Sequence, residues 1–130
     1  MSSGKITDII IVDDDTVSTY LTEEILRENH VCENIQSYSS GIECLKNLEN
    51  DTDAHTILLD LNMPEINGWD FLKKCRAMNR TDLIILLTSS INEDDRDRAQ
   101  SENVHFLNKP LDTDDLLKII TGAPDESLQH

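Results

Sequence analysis

Short apolar runs alternate along this chain with longer segments in which apolar residues recur every three or four positions. Continuous apolar runs of four to eight residues indicate β-strands, and the most apolar of them fit strands that are buried on both faces. The five predicted strands are Asp8–Val12, Asn34–Tyr38, the run ending at Asp60, Leu83–Leu87 and Val104–Leu107. Each run is followed by a segment that is long enough for a helix.

The segments after the first and third strands have the spacing of amphipathic helices. Residues from Thr16 to Asn29 carry Val17, Leu21 and Ile25, a stripe typical of a surface helix whose apolar side packs on the core. After Pro64, the turn at residues 67–68 begins the third predicted helix. Its predicted apolar positions are Phe71, Leu72, Cys75 and Met78.

Capping patterns mark the starts of the other helices. Ser40 with Glu43, and Ser90 with Glu93, have the spacing of a capping box. The helix after Ser40 is predicted to place Ile42, Leu45 and Leu48 on one face. The helix after Ser90 is highly charged with little apolar face, so we expect it to be the least firmly packed. Asp112 and Asp115 are predicted to cap the last helix, which carries Leu116, Leu117 and Ile120.

Strands that alternate with helices predict an α/β fold with a parallel sheet covered on both faces. The first, third and fourth strands are the most apolar and are predicted to be central, whereas the second and fifth are predicted to be edges. This matches the doubly wound, five-stranded order 2-1-3-4-5 with five helices. We expect a single domain over residues 1–130, with its core at about 7–121 and a flexible tail at 122–130.

Composition narrows the environment and the partners. The 130 residues are 28% charged and 38% hydrophobic, which is typical of a soluble globular domain. The formal net charge of −15 argues against nucleic acid and acidic membranes as partners. Cys32, Cys44 and Cys75 are odd in number and lack metal-site spacing, which favours a reducing compartment. With no leader or spanning run, the sequence predicts a cytoplasmic protein.

Polar residues that could bind ions or take part in a reaction follow four of the five predicted strands. Because the carboxyl ends of parallel strands meet at one edge of the sheet, these residues are expected to lie close together. They are Asp13 and Asp14 after the first strand, Asp60 after the third, Thr88 and Ser89 after the fourth, and Lys109 after the fifth.

This predicted cluster is suited to a cation and to phosphoryl chemistry. Converging carboxylates repel one another unless a cation is present or a protonation state is shifted. An all-oxygen site suits a hard, hydrated ion, most naturally Mg2+. A lysine and a hydroxyl facing Asp60 could hold the oxygens of a phosphoryl group that is transferred to this carboxylate.

Five motifs together resemble the receiver domain of two-component response regulators, the CheY-like family. Each is weak alone, but all five occur in the family's order on the expected elements. They are Ile11-Val12-Asp13-Asp14, Leu58-Leu59-Asp60-Leu61-Asn62-Met63-Pro64, Asn67-Gly68, Leu87-Thr88-Ser89 and Lys109-Pro110. The resemblance implies a phospho-acceptor signalling domain rather than an enzyme, although one that catalyses its own phosphorylation and dephosphorylation. The expected donor is a histidine kinase or a histidine phosphotransfer protein.

The resemblance also implies roles for individual residues. Asp60 is expected to accept the phosphoryl group, and Thr88 and Lys109 to contact it, with a cis peptide bond between Lys109 and Pro110. Ser89 is expected to leave room for the phosphoryl group. For Mg2+, the expected ligands are Asp14 directly, Asp13 through water, Asp60, and Asn62 through its backbone carbonyl.

The expected output is a change in partner binding by a stand-alone receiver. Phe106 occupies the position of the family's aromatic switch residue, which moves inward when Thr88 is drawn toward the phosphoryl group. Because Phe106 has no hydroxyl, a switch that needs that hydrogen bond is not expected here. Asn62 and Ser90 resemble residues that set the rate of phosphoryl loss. A downstream protein is expected to bind the face formed by the fourth helix, fifth strand and fifth helix.

Three other classes of protein fit this sequence less well. An aspartate-nucleophile phosphatase of the haloacid dehalogenase type needs a second acid two residues after the nucleophile, where this chain has Asn62. A flavin carrier of similar topology would meet repulsion from the acidic loop after the first strand. A degenerate receiver that only binds partners would be expected to lack Asp60, one of the other acids or Lys109, yet all are present.

Overall fold

The computed structural model describes residues 6–89 and 92–122, which form five strands that alternate with five helices. In chain order the elements are β1 (Ile6–Val12), α1 (Thr16–Glu28), β2 (Cys32–Tyr38), α2 (Gly41–Glu49), β3 (Thr56–Asp60), α3 (Gly68–Ala77), β4 (Leu83–Thr88), α4 (Glu93–Ser101), β5 (His105–Asn108) and α5 (Thr113–Thr121).

The five strands form one parallel sheet in the order β2-β1-β3-β4-β5, which confirms the predicted topology. β1, β3 and β4 are central, and their fully apolar segments are buried, as the apolar ranking predicted. β2 and β5 are the edges, and they are more exposed than the central strands. The parallel order brings the carboxyl ends of all five strands to one edge.

Alternate residues of the central strands supply two separate cores, one on each face of the sheet. Ile10 and Val12 of β1 point to the face covered by α2 and α3, where Phe71 is fully buried. Ile9 and Ile11 point to the opposite face, where α1 and α5 contribute mainly Leu26 and Leu116. Because successive side chains of a strand point to opposite faces, each central strand packs against both layers of helices.

Four helix starts are fixed by side chains that the local sequence supplies. Asp15, an acid with no predicted role, caps α1 by accepting hydrogen bonds from the amides of Val17 and Ser18. Ser40 accepts from the Glu43 amide at the start of α2, as its capping pattern predicted. The side chains of Asn67 and Asp112 cap α3 and α5.

The predicted apolar face of α1 is wrong, and that of α2 is wrong at one of its three residues, Ile42. In α1, Val17 and Leu21 are 65% and 52% exposed, whereas Thr22 and Leu26 are buried. The buried stripe is thus displaced by one position around the helix, and Ile25 borders both stripes. In α2, Ile42 is 40% exposed, while the predicted Leu45 and Leu48 are buried together with Cys44. Hydrophobic spacing alone could not choose between these adjacent stripes.

The fourth helix begins later than predicted and is sparsely packed. Its N-cap is Asn92, whose side chain accepts from the Asp94 amide, and Ser90 lies outside the described residues. α4 buries one residue, Ala99, in agreement with the weak packing expected of it. Of the predicted tail, residues 123–130 lie outside the described part of the chain. Within the described residues, none of the helices has the length and apolar character needed to cross a membrane.

Candidate functional site

The predicted polar cluster lies at the carboxyl edge of the sheet. Asp60 is the last residue of β3 and Thr88 the last residue of β4, while Asp13 directly follows β1. All three are buried, with exposed fractions of 7% for Asp60, 4% for Asp13 and 0% for Thr88. Burial of three polar side chains at the end of an apolar sheet is costly unless they interact with one another or with a ligand.

Lys109 brings its positive charge to two of these carboxylates. Its Nζ lies 2.8 Å from Asp13 Oδ2 and 3.4 Å from Asp60 Oδ1. Its backbone amide donates a hydrogen bond of 2.7 Å to the Thr88 carbonyl, which fixes this residue against the end of β4. The peptide bond between Lys109 and Pro110 is cis, as predicted.

The charges of the site are unequally stabilised. Burial raises the pKa of Asp60 to about 6; the neighbouring charge of Asp13 adds to this effect, and Lys109 opposes it. Burial also opposes ionisation of Asp13, but hydrogen bonds from Lys109 and the Asp15 amide outweigh it and lower the pKa of Asp13. Burial likewise favours neutral Lys109, yet its bond to Asp13 and the charge of Asp60 raise the Lys109 pKa. Lys109 therefore stabilises the ionised form of Asp13 more than that of Asp60.

Three carboxylates at this edge could together hold a cation. Asp13, Asp14 and Asp60 each offer one oxygen, and these oxygens lie within 4.8 Å of one another. Asp13 and Asp60 are buried, whereas Asp14 is exposed and would close the cluster from the solvent side. Among the described residues, Lys109 is the cation that contacts these acids, so the three carboxylates retain a negative excess. Hard oxygen donors in this arrangement fit a small divalent cation.

Asn62 connects the acceptor strand to the end of β4. Its backbone amide lies 3.4 Å from Asp60 Oδ1, and its side-chain amide donates to Thr88 Oγ1 over 3.4 Å. The sequence placed Asn62 beside the site but did not reveal its side-chain contact with Thr88. Ser89 follows β4 and is exposed. Phe106 is half-buried in β5, beside the core formed with α2 and α3.

An exposed apolar surface on α1 adjoins the site, and sequence reasoning missed it. Val17, Tyr20 and Leu21 are 65%, 58% and 52% exposed. A groove of about 430 Å³ runs from this helix to the loop after β5, where Lys109, Pro110 and Leu111 form its wall. The sequence does contain a sign of this surface. α1 has two overlapping apolar stripes, and only one of them can face the core.

Comparisons with known proteins agree with this geometry. Residues 9–121 match the sequence family described as the response regulator receiver domain. The chain is 28% identical over 125 residues to response regulator Rcp1 of Synechocystis, covering 88% of this chain and 84% of Rcp1. It is 25% identical over 130 residues to hybrid signal transduction histidine kinase B of Dictyostelium discoideum, covering 88% of this chain but 6% of that protein.

A solved structure shows the same architecture. A two-component response regulator from Cytophaga hutchinsonii superposes with a TM-score of 0.79 and 29% sequence identity, covering 97% of this chain and 99% of that one. The chain belongs to the response regulator receiver domain family. It is therefore a signalling domain of two-component systems and not a classical enzyme.

Proposed function

We propose that Asp60 accepts a phosphoryl group from a histidine kinase or a histidine phosphotransfer protein. The observation that carries this proposal is the convergence of Asp60, Asp13 and Lys109 at the carboxyl edge of the sheet. Oδ1 of Asp60 lies 3.4 Å from both Lys109 Nζ and the Asn62 backbone amide. With a pKa of about 6, Asp60 is mostly ionised at neutral pH and can act as a nucleophile.

The neighbouring residues have complementary roles in this transfer. An oxygen of Asp60 forms the new bond to phosphorus, and the donor leaves with the electrons of the bond that breaks. The ammonium of Lys109 is placed to neutralise charge on the transferring group, and the Thr88 hydroxyl to donate a hydrogen bond to it. Ser89 leaves space at the mouth of the site. Loss of the phosphoryl group by hydrolysis is expected to depend on the side chains of Asn62 and Ser90.

We further propose that Asp13, Asp14, Asp60 and the backbone carbonyl of Asn62 hold Mg2+. The distances among the three carboxylates and their excess negative charge support this set. Bound Mg2+ would supply positive charge opposite the oxygens of the transferring group. Lys109 alone leaves two negative charges of the cluster unbalanced, so phosphorylation is expected to require the ion.

Phosphorylation is proposed to change the binding of a downstream protein. Thr88 lies at the end of β4, directly before the segment that leads into α4, and Phe106 lies on the adjacent strand β5. Movement of Thr88 toward a phosphoryl group would alter residues 88–101 and the face formed by α4, β5 and α5. Inward movement of the Phe106 ring is part of this proposal. A cytoplasmic location is also proposed, since the buried thiols of Cys44 and Cys75 fit a reducing compartment.

The groove beside α1 is the proposed docking surface for the phosphodonor protein. It shares Lys109 with the acceptor site, so a protein that binds there would lie next to Asp60. Its walls are apolar at Val17, Leu21 and Leu111, and exposed apolar surfaces of this kind mark interaction sites. A small phosphodonor needs no such surface, which allows docking and chemistry to be tested separately.

Labelling by two kinds of donor tests the proposal. Wild-type protein should be labelled by acetyl phosphate with Mg2+, whereas Asp60→Asn and Asp60→Ala should remain unlabelled. Undiminished labelling of both variants would reject Asp60 as the acceptor. Leu21→Asp should retain labelling by acetyl phosphate but lose at least about tenfold in transfer rate from a histidine phosphotransfer protein, because a buried unpaired charge opposes docking. Equal transfer to Leu21→Asp and wild type would reject the groove.

A further inference from the structure

The third and fourth helices are joined by polar contacts that centre on a tryptophan. Trp69 is buried at the start of α3, and its indole Nε1 donates a hydrogen bond of 3.1 Å to Asp95 Oδ1 of α4. The guanidinium carbon of Arg98, one turn further along α4, lies 4.5 Å from the centroid of the Trp69 ring. The indole is thus held at its edge by an anion and on its face by a cation.

A second set of contacts closes the far end of the same helix pair. Arg76 of α3 donates to the Glu102 carbonyl over 2.6 Å and lies 3.3 Å from Glu102 Oε1. Arg98 Nε lies 2.5 Å from Glu102 Oε2, which links this contact to the Trp69 contact. These five residues, Trp69, Arg76, Asp95, Arg98 and Glu102, are called the α3–α4 clasp below.

The clasp matters because α4 has little other attachment. Ala99 is the only buried residue of α4, whereas α3 buries Trp69, Phe71, Leu72 and Cys75. A helix with one buried residue gains little free energy from apolar burial, so polar contacts carry a larger share of its docking. Removal of the clasp should therefore loosen α4 while leaving α3 in place.

The helix on the other side of the clasp is anchored beside the acceptor. The Gly68 amide donates a hydrogen bond of 2.8 Å to the carbonyl of Leu61, the residue after Asp60. A Cβ at Gly68 would lie 2.9 Å from Leu86 Cδ2 and 3.0 Å from Leu61 Cα, so any larger residue would force these neighbours to shift. α3 is fixed to the acceptor loop, whereas α4 follows Thr88, and the clasp spans the two.

We propose that the α3–α4 clasp holds α4 in the position it has in the unphosphorylated protein and must open when the Thr88 end rearranges. This inference rests on the proposed function of Asp60. If phosphorylation opens the clasp, then weakening the clasp must favour the phosphorylated arrangement by the same coupling free energy. The clasp would thus set how readily the domain switches.

Binding of beryllium trifluoride with Mg2+, which mimics a phosphoryl group on a carboxylate, tests this inference. Arg98→Ala removes the cation over Trp69, and Arg96→Ala is a matched control. Arg96 is exposed on the same helix, and its side chain makes no hydrogen bond or ion pair within the described residues. Arg98→Ala should bind the mimic about two- to fivefold more tightly than Arg96→Ala, as expected from losing one exposed cation–π contact and the exposed ion pair with Glu102. Amide NMR titration measures both dissociation constants.

Trp69 supplies a second readout, because it is the only tryptophan among the 130 residues. Its emission should change when the mimic binds to wild type and to Arg96→Ala, and should change less in Arg98→Ala. Trp69→Phe, which removes the N–H but keeps an aromatic ring, should also tighten binding. This second variant covers the case in which Arg98→Ala does not fold.

Three outcomes are distinct. Equal affinities of the folded clasp variants and Arg96→Ala would overturn the inference. Unchanged Trp69 emission in wild type with the mimic bound would also overturn it, while leaving the proposed function of Asp60 intact. Failure of the mimic to bind wild type at all would remove the proposed function, and the inference with it.

Discussion

The two edges of the sheet differ in how their charges are paired. At the amino edge, Arg80 and Asp82 form an ion pair of 2.7 Å, and the Asp82 side chain is fully buried. His55 lies between two carboxylates, with Nδ1 2.9 Å from Asp8 and Nε2 2.6 Å from Asp51. Among the described residues of this edge, buried charges therefore face opposite charges. Arg80 also donates to the backbone carbonyl of Leu48 at the end of α2 and to that of Asp53 in the loop before β3.

At the carboxyl edge the charges remain unbalanced. Asp13, Asp14 and Asp60 converge, and Lys109 is the cation that lies between Asp13 and Asp60. Burial raises the pKa of Asp60, and the charge of Asp13 adds to this effect. At the amino edge, hydrogen bonds to carboxylates raise the pKa of His55 against the effect of burial. One edge stabilises the fold, and the other is left with an excess of negative charge that a bound cation can relieve.

The largest expected effect on stability comes from breaking the buried ion pair at the amino edge. Asp82→Asn would leave Arg80 buried beside a neutral amide and weaken the bond that Asp82 accepts from the His55 backbone amide. We expect the free energy of unfolding to fall by about 3 kcal/mol, as for other buried pairs that lose one partner. Urea denaturation at pH 7 measures this loss.

Asp53→Asn is the matched control, since Asp53 is exposed in the same region. It should change the free energy of unfolding by less than about 0.5 kcal/mol. A loss below about 1 kcal/mol in Asp82→Asn would show that the amino edge does not stabilise the fold as its geometry indicates.

The next substitution should raise the free energy of unfolding, because it removes one negative charge from the carboxyl edge. A raised carboxyl pKa means that the folded protein holds the Asp60 proton more tightly than the unfolded chain does. Ionised Asp60 therefore destabilises the fold above pH 6, and this cost disappears as pH falls toward the ordinary value of 3.8. Without Mg2+, Asp60→Asn should raise the free energy of unfolding by about 1 to 3 kcal/mol at pH 8.

The comparison with pH 4 provides the control for this prediction. At that pH most of the gain should be lost, and chelator must be present at both pH values. A gain that is equal at pH 4 and pH 8 would mean that Asp60 stabilises or destabilises through packing, not through its charge.

The smallest effect concerns the titration of His55. Its partners Asp8 and Asp51 raise its pKa above 6.5, so the stability that they contribute is complete below pH 6.5 and is lost as pH rises through the folded-state value. His55→Gln should therefore be less stable than wild type at pH 6, by up to about 1 kcal/mol because the carboxylates are partly exposed. The difference should shrink at pH 9. Thermal or urea unfolding at both pH values measures it, and a pH-independent difference would contradict the charge pairing.

The fold and most of the site were predictable because both depend on which residues end the strands. The apolar ranking of β1, β3 and β4 identified the centre of the sheet, and parallel order then brought Asp13, Asp60 and Lys109 together. The predictions that were wrong concern places where two neighbouring residues or stripes fit the sequence pattern about equally well. Val17 and Leu26 belong to adjacent stripes of one helix, and Asn92 caps α4 two residues after Ser90.

Side-chain contacts between one helix and another, or between a helix and a loop, were not predictable. The clasp joins Trp69 to Asp95 across 26 positions, and the sequence has no spacing rule for such a pair. The same holds for Arg80, whose carbonyl partners Leu48 and Asp53 lie 32 and 27 residues earlier, at the end of α2 and in the loop before β3. Such contacts follow from how helices and loops meet after the sheet has formed.

The exposed apolar surface of α1 has a consequence for the behaviour of the protein in concentrated solution. Val17, Tyr20 and Leu21 form a surface that would favour contact between copies of the chain. The formal net charge of −15 opposes such contact, because like-charged molecules repel at long range. The acidic composition, uninformative for the fold, thus acts as a colloidal stabiliser that lets an apolar surface remain exposed. That repulsion weakens as salt shortens the Debye length to about 10 Å at 0.1 M.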